Sequence, residues 1–188
     1  DGVAHYVVRL VVPRLRFDRH LGRAECHRDR ARSGDDSVLE EWSLADRQSL
    51  MIITLLTDFG TADSYLAEMK GVLLSRAPSV TLVDITHQVA PGDIRAAQYL
   101  LSRTWMHFPE GTVHLAIVDP GVGTARRALA AEHDGHRFVA PDNGLLSFLP
   151  QDGRFVALPV PTTAAATFHG RDVFAPAAAR LATGTAPG

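Results

Sequence analysis

One short stretch of the sequence places a carboxylate, two glycines and a guanidinium close together, at Asp119, Gly121, Gly123 and Arg126. It follows an apolar run, Val113 to Val118, which predicts a strand buried on both faces of a sheet. The Pro-Gly pair after Asp119 ends that strand, because proline has no N–H to donate and glycine allows a turn. Ligands bind at the carboxyl ends of strands in open α/β sheets. We therefore expect Asp119 to lie at a ligand site, where the glycines let the backbone approach the ligand and Arg126 follows closely.

Other polar residues also follow predicted strands, although each has a plain structural explanation. Asp58 and Asp63 could cap helices, Asn143 could belong to a turn, and Arg126 could be a surface charge. Loops that follow parallel strands converge at one edge of the sheet, so the set as a whole favours a binding or catalytic site. Its members are Asp58, Asp63, Asp119, Arg126, Asn143, His169 and Arg171.

The chain from residue 51 onward alternates predicted strands with predicted helices. Strands are predicted near residues 52–56, 80–85, 113–118, 128–132, 137–140 and 155–158. Repeated β-α-β units imply parallel strands joined by right-handed crossovers. The fold class predicted from this pattern is α/β, with a doubly wound, mainly parallel sheet and helices on both faces.

Each of the three predicted helices has a candidate capping residue. Asp63 or Ser64 could cap a helix that ends near Arg76, Asp93 could cap the second, and Asp172 could cap a last helix over residues 173–182. Two of these helices also have an apolar face that predicts burial. The first face comprises Leu66, Met69, Val72 and Leu73, and the second comprises Ile94, Ala97, Tyr99, Leu100 and Leu101.

Composition limits the class of protein. The chain has 188 residues, 46% of them apolar, which suits one globular domain, and no apolar run is long enough to span a membrane. A net charge of −2 gives no electrostatic reason to expect nucleic acid as a partner. The single cysteine, Cys26, excludes an internal disulfide and fits a cytoplasmic location.

Residues 1–50 differ in kind from the rest of the chain. Arg, Asp and His crowd this segment, and within it only Val7 to Val12 resembles a strand. Its arginines could form an anion-binding arm, but acidic residues are interleaved with them, which favours a solvated extension. We expect residues 1–50 to be a disordered or non-native extension and the natural protein to begin at Met51.

Several nucleotide and metal motifs fail on inspection. The glycines at 121 and 123 are not a dinucleotide fingerprint, because Arg126 occupies the third glycine position, and the chain has no Walker A lysine. His133 and His136 have a spacing found in metal sites, but a polar hairpin explains them better. We expect structural roles for His87, hydrogen-bonded after a strand, and for His114, within one.

Six sequence blocks carry a resemblance to a known family. They are Thr57-Asp58-Phe59-Gly60, Val83-Asp84-Ile85-Thr86-His87, Pro109-Glu110-Gly111-Thr112-Val113, Asp119-Pro120-Gly121-Val122-Gly123-Thr124, Ala140-Pro141-Asp142-Asn143-Gly144 and Thr167-Phe168-His169-Gly170-Arg171-Asp172. Residues 51–188 resemble the N-terminal domain of the S-adenosylmethionine (SAM) hydroxide adenosyltransferases. These SAM hydrolases are relatives of the SAM-dependent fluorinase and chlorinase. The resemblance implies hydrolysis of SAM to adenosine and L-methionine by water, with SAM as substrate and neither metal nor cofactor.

The resemblance also implies roles for single residues. Asp119, Arg126 and His169 would correspond to the water-activating Asp-Arg-His set of the hydrolases. Asp58 would bind the ribose hydroxyls, Asp63 would bind the methionine amine, and Phe168 would line the adenosyl pocket. Asn143 and Gly170 complete the expected substrate-binding set. The halogenase relatives carry neutral side chains where this chain has Asp119, His169 and Gly170.

The physical chemistry of the reaction agrees with this set of residues. A sulfonium is an activated leaving group, because departure of methionine neutralises its charge, so the enzyme has mainly to align ribose C5′ with a nucleophile. A carboxylate can accept hydrogen bonds from two adjacent hydroxyls and fix the ribose. Two alternatives stay open, a SAM-dependent chlorinase and a non-catalytic domain that binds SAM or adenosine.

The family also sets an expectation about assembly. Its members continue into a smaller, β-rich C-terminal domain, and their ligand lies between the first domain of one subunit and the second domain of its neighbour in a trimer. The sequence ends at Gly188, after the last predicted helix. The resemblance therefore implies a homotrimer when full length and a chain that lacks the C-terminal domain, so that it could be inactive alone.

Overall fold

Six strands form one sheet between two layers of helices in the computed structural model, which describes residues 51–150 and 153–184. The predicted extension, with its strand at Val7 to Val12, lies outside the described residues. A 3-10 turn directly follows the second regular helix, and a wide π-helical turn directly precedes the third. The strands are β1 (Ile52–Thr57), β2 (Thr81–Thr86), β3 (Val113–Ile117), β4 (Ala128–His133), β5 (His136–Pro141) and β6 (Arg154–Leu158). The helices are α1 (Tyr65–Arg76), α2 (Ile94–Thr104) and α3 (Ala175–Ala182), with the 3-10 turn at Trp105–His107 and the π turn at Gly170–Phe174.

The strand order is β2-β1-β3-β5-β4-β6, and the three neighbouring pairs among β2, β1, β3 and β5 are all parallel, which agrees with the predicted, mainly parallel sheet. Strand β4 runs antiparallel to both of its neighbours. A two-residue turn explains the reversal from β4 to β5, because Asp134 and Gly135 have φ values of 46° and 73°. Such a turn joins only antiparallel strands.

Helices cover both faces of the sheet, which confirms the doubly wound prediction. Helices α1 and α3 pack over one face against residues such as Ile53, Leu115 and Val139. Helix α2 packs over the other face against Leu56 and Phe138. Every residue of β3 is buried, as expected for the central strand. Among the described residues, no helix combines the length and the apolar content needed to cross a bilayer.

The buried apolar face predicted for α1 is confirmed, whereas the one predicted for α2 is confirmed only in part. In α1, Met69 and Leu73 are buried and the other two predicted residues are partly buried against them. In α2, Ala97 and Leu101 are buried, but the prediction was wrong for Tyr99 and Leu100, which are 65% and 36% exposed. A helix advances about 100° per residue, so these two positions fall outside the stripe that faces the sheet.

The starts of the three helices also differ from one another. The Asp93 carboxylate accepts a hydrogen bond from Ala96 N at 2.9 Å, so it caps α2 as predicted. At α1, the carboxylate of Asp63 accepts from Tyr65 N at 3.0 Å. The prediction that Asp172 caps the last helix was wrong. The helical segment begins earlier, at Gly170, with His169 in the capping position and Asp172 inside the π-helical turn.

A pair of buried histidines lies inside the sheet, far along the strands from their carboxyl ends. His114 Nδ1 lies 2.8 Å from the Thr54 hydroxyl, and His114 Nε2 lies 3.1 Å from His136 Nδ1. The Trp105 ring packs edge-on against His136 at 5.0 Å. The structural role expected for His114 is confirmed. His133 and His136 face each other in the β4–β5 hairpin as expected, but His136 is only 5% exposed and belongs to the core.

Candidate active site

A cavity of about 160 Å³ opens at the carboxyl ends of β1 and β3, beside the π-helical turn. Asp58 follows β1 and Asp119 follows β3, so the sheet edge brings these two carboxylates together as the sequence predicted. Depressions of about 340 and 380 Å³ elsewhere on the surface are larger, but they do not combine these carboxylates with a histidine. The cavity is lined by Asp58, Phe59, Tyr65, Ile117, Asp119, Val122, Thr167, Phe168, His169 and Gly170.

Asp119 is held firmly by one arginine. Arg126 Nε donates to both carboxylate oxygens at 3.0 and 2.9 Å, and Arg126 Nη2 donates to Oδ2. The two side chains are only 5% and 10% exposed, so water competes weakly for this charge-assisted pair. The loop between them depends on Gly123, which has a φ of +77° and lies so close to Ala166 O that an added Cβ would be 2.5 Å away. Gly123 thus allows two backbone segments of this chain to approach each other closely, whereas the sequence had suggested an approach of backbone to ligand.

The same arginine determines the protonation state of His169. Arg126 Nη2 lies 2.9 Å from His169 Nδ1, and because arginine has no acceptor, Nδ1 must accept and the ring proton lies on Nε2. Burial lowers the pKa of His169, and the Arg126 charge lowers it further, against opposite effects of Asp119 and Asp172. His169 is therefore neutral near pH 7, and it can donate a hydrogen bond to a ligand through its Nε2–H.

Arg126 itself lies behind the cavity. It is not among the lining residues, and its guanidinium stacks on the Phe174 ring at 5.1 Å. Its Nη1 is buried and has no hydrogen-bond partner among residues 51–150 and 153–184. Arg126 thus positions Asp119 and His169, which line the cavity. The neighbouring Arg127 pairs instead with Asp142 on the surface, with its side chain 68% exposed.

Asp58 is fixed by the turn that follows β1. Its Oδ2 accepts a hydrogen bond from Gly92 N at 2.8 Å. The buried His87 holds this turn, since its Nδ1 lies 2.9 Å from the Thr57 hydroxyl and its carbonyl accepts from Gly60 N at 2.8 Å. The structural role expected for His87 is confirmed. One oxygen of Asp58 is engaged by the backbone, and the carboxylate still lines the cavity.

Two predicted substrate-binding residues do not line this cavity. Asp63 is exposed and lies just before α1. Asn143 donates from Nδ2 to Val118 O at 2.8 Å and so supports the end of the chain segment that leads into Asp119. Direct contact of either residue with substrate stays a prediction.

Aromatic side chains form one wall of the cavity, and sequence analysis had singled out only Phe168 among them. The Tyr65 and Phe168 rings meet edge-on with centroids 4.8 Å apart, and Phe59 meets Phe168 at 6.2 Å. A Cβ added to Gly170 would lie 3.2 Å from both phenylalanine rings, so glycine is what lets the wall pack there. The sequence did not predict Tyr65 as a cavity residue, because a single aromatic residue at the start of a helix forms no recognisable sequence motif. Its closeness to Asp63 was the available hint.

No group of three or more His, Cys, Asp or Glu side chains that could hold a metal ion occurs in the part of the chain that the structure describes. The polar groups at the cavity are instead paired with Arg126 or with backbone.

A family profile described as the SAM hydroxide adenosyltransferase N-terminal domain matches residues 53–188. The chain belongs to this family. The match begins inside β1 and includes all the cavity residues, so the family's first domain and the described α/β fold are the same part of the chain. The resemblance seen in the six sequence blocks is confirmed.

Individual relatives support the assignment to the SAM hydroxide adenosyltransferase family. The chain is 48% identical to a protein named (R)-S-adenosyl-L-methionine hydrolase from Thermus thermophilus, over 72% of this chain and 58% of that protein. It is 47% identical to one of the same name from Salinispora arenicola, over 70% and 53%. A crystal structure of an uncharacterized conserved protein from Thermotoga maritima matches with a TM-score of 0.68 and 38% identity, over 72% and 55%. Proteins named fluorinase match at 28–32% identity. The chain spans little more than half the length of the curated hydrolases it matches.

Proposed function

We propose that the whole protein hydrolyses SAM to adenosine and L-methionine. The observation that carries the proposal is the pairing of Asp119 with His169 at one cavity, both held by Arg126. A carboxylate that accepts a hydrogen bond and an imidazole that donates one together suit a water molecule, which needs both partners to be oriented. The relatives named SAM hydrolases supply the substrate.

In the proposed reaction, the water oxygen attacks ribose C5′ from the side opposite the sulfonium. The C5′–S bond breaks and its electron pair stays on sulfur, which leaves as the neutral thioether of methionine. Asp119 accepts the proton that the attacking water loses and later releases it to solvent. Asp58 would accept hydrogen bonds from the ribose hydroxyls and hold C5′ in line. The chemistry proposed here needs neither metal nor cofactor.

His169 sets the expected acid limit of this reaction. Its Nε2–H would donate to the attacking water while Nδ1 stays bonded to Arg126. Protonation would place a second positive charge beside Arg126 and break that bond, so activity should fall on acidification. Because burial lowers the pKa of His169, the fall should begin below the value of 6.5 usual for histidine.

The cavity of about 160 Å³ is smaller than the roughly 300–1,000 Å³ typical of small-molecule sites. We propose that the remaining walls come from a further domain and from a neighbouring subunit of a homotrimer. The 188-residue chain alone should then bind SAM weakly and show little turnover, because water reaches the reacting centre.

Halogenation is the first rival, and the charge of Asp119 argues against it. The carboxylate lines the cavity whereas its partner Arg126 lies behind it, so an incoming chloride would meet the negative charge first. Because the carboxylate is only 5% exposed, water screens that repulsion weakly. The second rival is a domain that binds SAM or adenosine without turnover. Nothing in the geometry favours it over hydrolysis, since binding alone has no need of the Asp119–His169 pair.

The test is product analysis by chromatography after incubation with SAM, with and without high chloride. Two forms are compared: the 188-residue chain, and a fusion that appends the part of the Thermus thermophilus hydrolase which this chain does not match. We expect adenosine as the only nucleoside product, mainly from the fusion. A dominant 5′-chloro-5′-deoxyadenosine peak would establish the halogenase, and tight SAM binding without products in either form would establish the binding domain.

A further inference from the structure

Arg171 makes a three-way contact beside the cavity without lining it. Its Nε and Nη2 donate to the two oxygens of Asp172 at 2.7 and 3.0 Å, and its Nη1 donates to Glu68 Oε2 at 2.9 Å. The guanidinium also lies over the Phe168 ring, 5.0 Å from its centroid. The proposed mechanism gives Arg171 no part, although Phe168 lines the cavity and Glu68 and Asp172 lie in segments that supply other lining residues.

The partners come from two segments around the cavity. Glu68 lies in the first turn of α1, the turn that begins with the cavity residue Tyr65. Asp172 accepts from Ala165 N at 2.9 Å, so it ties down the loop that leads to Phe168. Phe168 is the ring against which Tyr65 packs. Arg171 thus joins the helix that carries one side of the aromatic wall to the loop that carries the other.

We propose that Arg171 is a positioning residue for the adenosyl group: it holds the Tyr65–Phe168 wall in place for the ligand. The proposal rests on the proposed function for the identity of the ligand. Tyr65 is 47% exposed, so burial alone does not fix its ring. A planar guanidinium can satisfy two carboxylates and stack on a ring at once, whereas the single ammonium of lysine cannot.

The wall and the catalytic pair are held by different arginines, which makes the proposal testable. Arg126 bonds to Asp119 and His169, whereas the hydrogen bonds and ion pairs of Arg171 among the described residues go to Asp172 and Glu68. Replacing Arg171 should therefore disturb binding of the adenosyl group much more than the chemical step. We expect Arg171→Lys to raise the KM for SAM about tenfold while kcat changes less than about threefold.

The experiment compares Arg171→Lys with Arg127→Lys, a matched control in which an arginine–aspartate pair is changed on the surface away from the cavity. KM and kcat are measured in whichever form of the wild type hydrolyses SAM. In parallel, the 188-residue chain is labelled with 3-fluorotyrosine, and the Tyr65 resonance, one of three, is assigned from Tyr65→Phe. Glu68→Gln, which removes one carboxylate from the contact, serves as the second variant should Arg171→Lys fail to fold.

Support requires both a raised KM at nearly constant kcat and a shifted or broadened Tyr65 fluorine resonance, with neither effect in Arg127→Lys. An unchanged KM, a fall confined to kcat, or an unmoved Tyr65 resonance would each overturn the proposal and leave Arg171 a purely structural residue. If the wild type does not hydrolyse SAM in either form, the proposed function fails, and the fluorine resonance alone decides whether Arg171 holds the wall.

Discussion

Acidification from pH 7 to pH 5 should destabilise the fold through His114, before the carboxylates titrate. His114 is fully buried between Thr54 and His136, and burial lowers its pKa from 6.5 to about 3, with the nearby His136 adding to the effect. In the unfolded chain the same side chain titrates near 6.5. The unfolded state therefore binds a proton over this interval that the folded state does not, and stability falls as pH falls.

The size of the effect follows from the two pKa values. With 6.5 unfolded and about 3 folded, the loss between neutral pH and pH 5 is about 2 kcal/mol, and it would continue to grow down to about pH 3. Burial also lowers the pKa of His136, which adds to the loss in the same direction. The carboxylates with lowered pKa, such as Asp84 and Asp172, contribute only at more acidic pH. The interval above pH 5 thus isolates the histidines.

The assay is urea unfolding of wild type and His114→Gln at both pH values. Glutamine can still bond to Thr54 but has no charge to gain, so the variant should lose about 2 kcal/mol less than wild type on acidification, whatever its stability at pH 7. Equal losses in the two proteins would refute the reasoning. So would an imidazole NMR titration that places the folded pKa of His114 near 6.5.

Two further predictions concern catalysis in the form that turns over. Asp119→Asn should lower kcat by roughly two orders of magnitude, which is the usual range for a positioned acid–base group. SAM binding, measured by calorimetry, should change much less because Asp58 remains. Undiminished turnover would remove Asp119 from the mechanism. Arg126→Met should lower activity sharply and shift the acid limb of the pH–rate profile towards 6.5, because it removes a cation that lowers the pKa of His169 and the donor to Nδ1. The matched variant Arg127→Met should leave the profile where it is, and an identical response of the two variants would contradict the assignment.

Sequence patterns were sufficient for the parts of the fold that follow from local chemistry. The continuous apolar run of β3 predicted a central strand, and the residues immediately after β1 and β3 were correctly expected to share one sheet edge. Both inferences depend on strand geometry, which acts over a few residues. The placement of Asp58 and Asp119 could therefore be predicted without knowing any side-chain contact.

Features decided by distant contacts could not be predicted in this way. Asp172 has the residue type of a helix cap, but it lies inside the π-helical turn, where its carboxylate pairs with Arg171, which in turn bonds to Glu68 far along the chain. Tyr65 has no local pattern, and its position in the cavity wall depends on Phe168, far along the chain. Arg126 was correctly grouped with Asp119. Its position behind the cavity could not be predicted, because it depends on the packing of the guanidinium against Phe174.

The π-helical turn between His169 and α3 has a consequence for how this site can change by insertion and deletion. Such a turn holds one residue more than an α-helical turn, and each residue of an α-helix advances about 100° around the axis. Deleting one residue from 170–174 would convert the π-helical turn into an α-helical turn and rotate the residues before it about the helix axis. The His169 imidazole would then move away from Arg126 while α3 stays packed on the sheet. A change in length alone, with no side chain exchanged, could thus move the imidazole out of the cavity and leave the scaffold intact.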